Sequence, residues 1–193
     1  MTGEATEEMV ASLLRQAGFV VATDVKISSR GEKTYGGQIK DFPVDIIAIN
    51  PKKQELIVGE VKSWWGSTGL TPHHIVGTWP ENPSQYVKSF KILNNKDNLR
   101  EKFERLVKEQ FGDYDYKFVL YAGRAKNESL IRDNLSKIKM FDKPVELVII
   151  RELLTDFINS IEGTKNKIST YNNEIAIATL QALNEYKMLK SSD

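Results

Sequence analysis

The chain has 193 residues, 40% of them apolar and 27% charged, and its 27 basic and 26 acidic side chains leave a formal net charge of +1. This describes a protein with one principal folded core and excludes a polybasic protein that bulk charge alone would hold to nucleic acid. The absence of cysteine excludes a disulfide scaffold, a thiolate zinc site, an iron–sulfur cluster and a thiol nucleophile. The 2 histidines, His73 and His74, are adjacent, which argues against a multi-histidine centre. The acidic start (Met1-Thr2-Gly3-Glu4) is unlike a signal peptide, and the apolar runs are too short to span a bilayer. The expectation is a cytoplasmic protein with no membrane partner.

Met9, Val10, Leu13, Leu14 and Ala17 recur at helical spacing, so the first element is a helix that Gly18 ends. Phe19–Ile27 reads as a strand, and Ser28–Lys40, with Gly31, Gly36 and Gly37, as a loop. Phe42–Asn50 and Glu55–Ser63 are strands joined by the turn Pro51–Gln54, which makes them a hairpin. Trp64–Asn82 is a connection long enough to point to function. Pro83 opens a helix carrying Tyr86, Phe90 and Leu93, and helical spacing resumes from Leu99 to Phe111 after a break at Asn94–Asn98. Tyr116–Ala122 is a strand, Asn127–Met140 a helix, Val145–Ile150 a strand and Glu152–Ile161 a helix. A polar linker from Gly163 leads to a last helix over Asn172–Leu189. The fold class is α/β (α+β), with a central mixed sheet of about five strands flanked by helices. Residues 1–162 form the principal domain and 163–193 a C-terminal helical extension.

Chemistry concentrates at Phe42-Pro43-Val44-Asp45 and, after fourteen intervening residues, Glu60-Val61-Lys62. Strand side chains alternate with period two. Leu56, Val58, Glu60 and Lys62 therefore share one face of their strand, and Asp45 shares a face with Ile47 and Ile49. Charge at the end of an apolar strand demands a partner or a metal. Two carboxylates and an ammonium in one place suit a divalent cation, with magnesium favoured by oxygen ligands and a phosphate-like substrate. Asp97…Asp115-Tyr116-Lys117 repeats the pattern but fails on context, because Asp97 falls in or beside a helix.

Asp45…Glu60-Val61-Lys62 resembles the Asp…(Asp/Glu)-x-Lys motif of the restriction-endonuclease-like PD-(D/E)xK nuclease superfamily. The order of elements is similar to its α-β-β-β-α-β core. Gly3-x-x-x-Glu7-x-x-Val10-x-x-Leu13-Leu14-x-x-x-Gly18-Phe19 is similar to the opening helix of its Mrr-like branch. The resemblance covers about residues 3–150. It implies that Asp45, Glu60 and the backbone carbonyl of Val61 hold Mg2+, with Mn2+ able to substitute. It also implies that Lys62 acts on the attacking water and that Glu7 completes the catalytic set, with Glu4 and Glu8 as fallbacks. Gln85 resembles a glutamine carried there by several branches, although those continue Gln-x-x-x-Tyr and this chain reads Gln85-Tyr86-Val87-Lys88-Ser89.

The activity that follows is a metal-dependent DNA endonuclease of restriction or defence type, close to the type II restriction endonucleases and acting as a homodimer through the last helix. The alternatives are a repair or junction-resolving nuclease of the same fold, and a non-catalytic nucleic-acid-binding or assembly module. Gln85, Lys88, Lys91, Lys33 and Trp64 are the candidate DNA contacts. Lys88 and Lys91 have no nearby acid on their helix and suit phosphates. Lys33 lies in the glycine-bearing loop. Trp64 either stacks on bases or, more ordinarily, packs against the core.

Overall fold

The computed structural model describes residues 3–28, 41–64, 69–75, 92–93 and 99–155. Helix α1 (Gly3–Gln16) is followed by strands β1 (Val20–Ser28), β2 (Asp41–Asn50) and β3 (Glu55–Lys62). A 3-10 turn at Pro72–His74 precedes α2 (Leu99–Phe111), β4 (Asp115–Ala122) and α3 (Glu128–Ser136). The short strands β5 (Lys139–Met140) and β6 (Lys143–Pro144) lead to β7 (Glu146–Ile149), and α4 begins at residues 150–155. Among the described residues no helix is long and apolar enough to cross a membrane.

The sheet is mixed and five-stranded, in the order β1-β2-β3-β4-β7. β1, β2 and β3 pair antiparallel through short connections. β4 and β7 join in parallel, which requires crossovers, and α2 and α3 supply them. One apolar face packs against α1 and α4, gathering Met9, Val10, Leu14, Ile46, Ala48, Ile57, Tyr121 and Leu154. The other packs against α2 and α3, gathering Val44, Ile47, Leu56, Val58, Phe103, Leu106, Phe118, Ile131 and Leu135. The central strands are covered on both sides, which is why Leu56–Gly59 is an unbroken buried run.

α1 ends where the sequence places it. Gly18 takes φ +90°, and the Gly18 and Phe19 amides donate to the Arg15 and Leu14 carbonyls. The expected helix over Asn127–Met140 is shorter. It stops at Ser136, and the chain enters a β5–β6 hairpin whose left-handed Phe141 and Asp142 make the turn. The hairpin carries Met140 and Phe141 into the core, where Phe141 stacks on Tyr116 at 4.9 Å, so tertiary burial overrides a helical pattern. The helix from Pro83, the linker from Gly163, the last helix and the boundary at 162/163 lie outside the described residues, as do Lys33, Gln85, Lys88 and Lys91.

A second departure places the functional residues. The strand alternation that puts Asp45 on the face of Ile47 and Ile49 does not hold along the whole of β2. Phe42 and Val44 point into the α2 core, and so do Ile47 and Ile49, whereas Ile46 and Ala48 point into the α1 core. The phase shifts by one residue between Val44 and Ile46. β1 shifts with it, since Val21 joins the α1 core and Val25 and Ile27 the α2 core. Register is kept through the step, with Thr23↔Ile46 and Val25↔Val44 on either side. The step on β1 is Asp24, at φ +50°, a left-handed conformation that aspartate adopts more readily than most side chains.

Candidate active site

β2 and β3 pair only from Ile46↔Gly59 to Asn50↔Glu55. Beyond that step β2 continues to Asp41 paired with β1, and β3 continues to Lys62 paired with β4. The sheet therefore opens into a fork whose two arms are 41–45 and 60–62. Pro43, which has no N–H to give to a ladder, falls in the arm that β3 has left. Asp45 spans the opening: its Oδ2 accepts a hydrogen bond from the Val61 backbone N–H at 2.6 Å. A carboxylate thus replaces the missing strand acceptor, in a charge-assisted bond stronger than the neutral one it replaces.

Glu60 and Lys62 stand on the other arm. β3 keeps its alternation, so both continue the face of Leu56 and Val58 and line one pocket with Val58 and Asp45. Lys62 Nζ lies 2.7 Å from Glu60 Oε1, with only 20% and 17% of the two side chains exposed. Burial holds the Glu60 carboxyl above its ordinary value; the Lys62 ammonium opposes that shift, and the Asp45 charge adds to it. Gly59, one residue earlier, allows the close approach of the strands: a Cβ there would stand 3.0 Å from the Tyr121 ring and 3.1 Å from Ile46 Cβ.

Glu7 reaches the same neighbourhood from α1, on the opposite face of the sheet. Its carboxyl is also raised, first by burial, then by Asp45, Asp24 and Glu4, with Lys62 opposing. Glu8 is engaged elsewhere, 2.6 Å from Arg15, which leaves Glu7 as the helix acid that senses the fork. The fork thus gathers charge from β2, β3 and α1 around one centre. Asp24 belongs to this group, and sequence reasoning missed it. Val21, Val25 and Ile27 keep an odd-numbered pattern, so the phase shift beside Asp24 leaves no trace in the sequence.

Among the described residues no three acidic or histidine side chains form a ready-made cage for an ion. Magnesium needs less, one or two carboxylates with waters and phosphate oxygens completing the shell. Asp45 and Glu60, with Glu7 close by, fit that requirement: they are oxygen donors whose mutual repulsion a cation would relieve.

Trp64 packs against the α2 core and meets His74 at a tilt of 48°, with ring centroids 4.6 Å apart. The packing role of Trp64 is thus observed. Thr71 donates its backbone N–H to His74 Nδ1 at 2.9 Å, and burial holds the ring below its ordinary pKa, with His73 adding to the effect. His74 is therefore neutral, with Nδ1 committed as an acceptor. The second acidic motif is taken apart at the far end of the sheet: Asp115 pairs with Lys143 and Lys117 with Glu55. Set against protein-family models, curated proteins and solved structures, the chain matches none of them.

Proposed function

We propose that the chain is a Mg2+-dependent DNA nuclease with a restriction-endonuclease-like core and that its active centre is the β2–β3 fork. The observation that carries this reading is the Asp45–Val61 bond, which brings Asp45 beside the Glu60–Lys62 pair at the opening of the sheet. Asp45, Glu60 and the Val61 carbonyl would hold the cation, with Glu7 behind them. A bound divalent ion polarises a phosphoryl oxygen and lowers the pKa of a bound water. Lys62 holds the attacking water through its ammonium and offsets charge gathering on the phosphate. The water oxygen bonds to phosphorus as one ester P–O bond breaks, leaving a phosphate on one side and a hydroxyl on the other. The carboxylates exclude an unneutralised phosphate, so substrate binding and cation binding are coupled. Mn2+ would support the same chemistry, and cleavage of both duplex strands would call for two copies of the chain.

The test is cleavage of supercoiled and linear DNA with Mg2+, Mn2+ or EDTA, beside Lys62→Ala. Products that require both metal and Lys62 support the reading. No cleavage together with no metal binding by calorimetry would turn it toward a non-catalytic module with the same fold.

A further inference from the structure

The fork opens into a pocket of about 270 Å3. Its rim and its interior differ in chemistry. Asp45, Glu60 and Lys62 stand at the fork, while Phe42, Ile92 and Leu99 line the apolar walls. Phe103 and Phe118, 0% and 2% exposed, close the floor. With a divalent cation held by Asp45 and Glu60, a ligand that satisfies both parts has an anionic group for the rim and a flat uncharged ring for the interior, joined within a few ångströms. One nucleotide has that form.

On the reading that the fork is a nuclease centre, we propose that this pocket receives a single nucleobase of the substrate, turned out of its stack, while the adjoining phosphate lies at Asp45, Glu60 and Lys62. A base still paired in a duplex cannot enter a recess walled by Phe42, Ile92 and Leu99 and floored by Phe103 and Phe118, and the cost of extruding it is least where the strand is single or already opened. The preferred substrate class is therefore DNA with an unstacked base near the scissile bond: single strands, frayed ends or mismatched sites. The pocket's polar side chains, Asp41, Asp45, Glu60 and Lys62, all stand on the two arms of the fork, and the helix side offers only Leu99 and Phe103. Apolar walls of that kind discriminate a ring from no ring and not one base from another, as in sequence-tolerant stacking sites.

The test compares a thymidine pentanucleotide with a pentanucleotide of the same charge whose residues are all abasic. Binding to the full chain is measured with Ca2+ in place of Mg2+. The wild type is expected to bind the thymidine strand about tenfold more tightly, the scale of losing one stacked base. Ile92→Trp, which fills the pocket from a half-buried wall position, should bring thymidine affinity down to the abasic value and leave abasic affinity unchanged. Leu99→Phe serves the same purpose if Ile92→Trp does not fold. Equal binding of the two strands by the wild type, or a loss in the filled variant that is the same for both, overturns the pocket assignment. Metal-dependent plasmid cleavage by the same preparation would then leave the nuclease reading standing, whereas absence of both binding and cleavage removes the two together.

Discussion

Asp24 and Asp45 are the two residues that the β1–β2 pairing passes over, between Thr23↔Ile46 and Val25↔Val44, at the step where both strands turn their apolar side chains from one core to the other. The bend lets β2 stay with β1 while β3 stays with β4. The opening between them is the fork, so the site exists because two aspartates occupy a phase shift. Asp24 carries the left-handed backbone and Asp45 the bridging carboxylate.

Asp24→Gly should therefore preserve or slightly raise stability, since glycine adopts φ +50° without a Cβ penalty. Asp24→Val should cost about 1–2 kcal/mol, because a β-branched side chain resists the left-handed region. Chemical denaturation of the two variants is the measurement. Equal stability of the valine and glycine variants would contradict the conformational role.

Asp45 has two separable duties, a charge in the fork and an acceptor for Val61. Asp45→Asn keeps a carbonyl oxygen for that amide while removing the charge, so it should abolish cleavage with little loss of stability. Asp45→Ala leaves the Val61 N–H without its acceptor and should cost about 1–3 kcal/mol in addition. Thermal unfolding of the pair, read beside metal titration, separates the duties.

Glu7 supplies a pH prediction. Its carboxyl is raised above the ordinary 4.5 by burial, then by Asp45, Asp24 and Glu4. An acid whose folded pKa lies above its unfolded one weakens the fold once pH exceeds the unfolded value. Glu7→Gln should thus melt higher than wild type at neutral pH, and the difference should shrink as pH falls and vanish below about 4.5. Added Mg2+ should narrow the neutral-pH difference by stabilising the wild type through mass action. A difference that persists unchanged at low pH would show that the gain has another origin.

The Lys62–Glu60 pair should be strongly non-additive. Lys62→Met leaves a raised, largely buried Glu60 carboxyl with no ammonium at 2.7 Å and should cost about 1–3 kcal/mol, less than a fully buried pair because both side chains keep some solvent. Combining it with Glu60→Gln should recover most of that loss. A double-mutant cycle measures the coupling, and additive losses would mean that the two charges do not depend on each other. Every one of these variants should be inactive on DNA.

Gly59→Ala tests how tightly β3 packs where the fork begins. The added methyl would meet the Tyr121 ring at 3.0 Å and Ile46 at 3.1 Å, and overpacking of this kind costs about 1–3 kcal/mol. Tyr121→Leu in the same chain should return part of the loss. Unfolding in denaturant would show it, and an undiminished midpoint for Gly59→Ala would mean that the strands have room to spare.

Much of this was legible in the residues alone. Short apolar runs bounded by turn residues located β1 to β4 and β7, and period-3.6 patterning located α1 and α2. Glu60 and Lys62 were legible as charges continuing an apolar face, and β3 keeps that face to its end. The β5–β6 hairpin was not legible. Its residues fit a helical pattern until the core offers Phe141 a stacking partner in Tyr116, and such a contact between distant residues leaves no local signal. The fork was hidden for the same reason. A one-residue phase shift matched on two strands leaves the spacing of Val21, Val25 and Ile27 intact, and covered strands such as β2 are apolar on both faces. Residue identity and spacing fix which charges this protein places on its apolar strands. That β2 parts from β3 at Asp45 comes from the assembled sheet, because strand separation depends on pairing energies and backbone conformation across β1, β2 and β3 together.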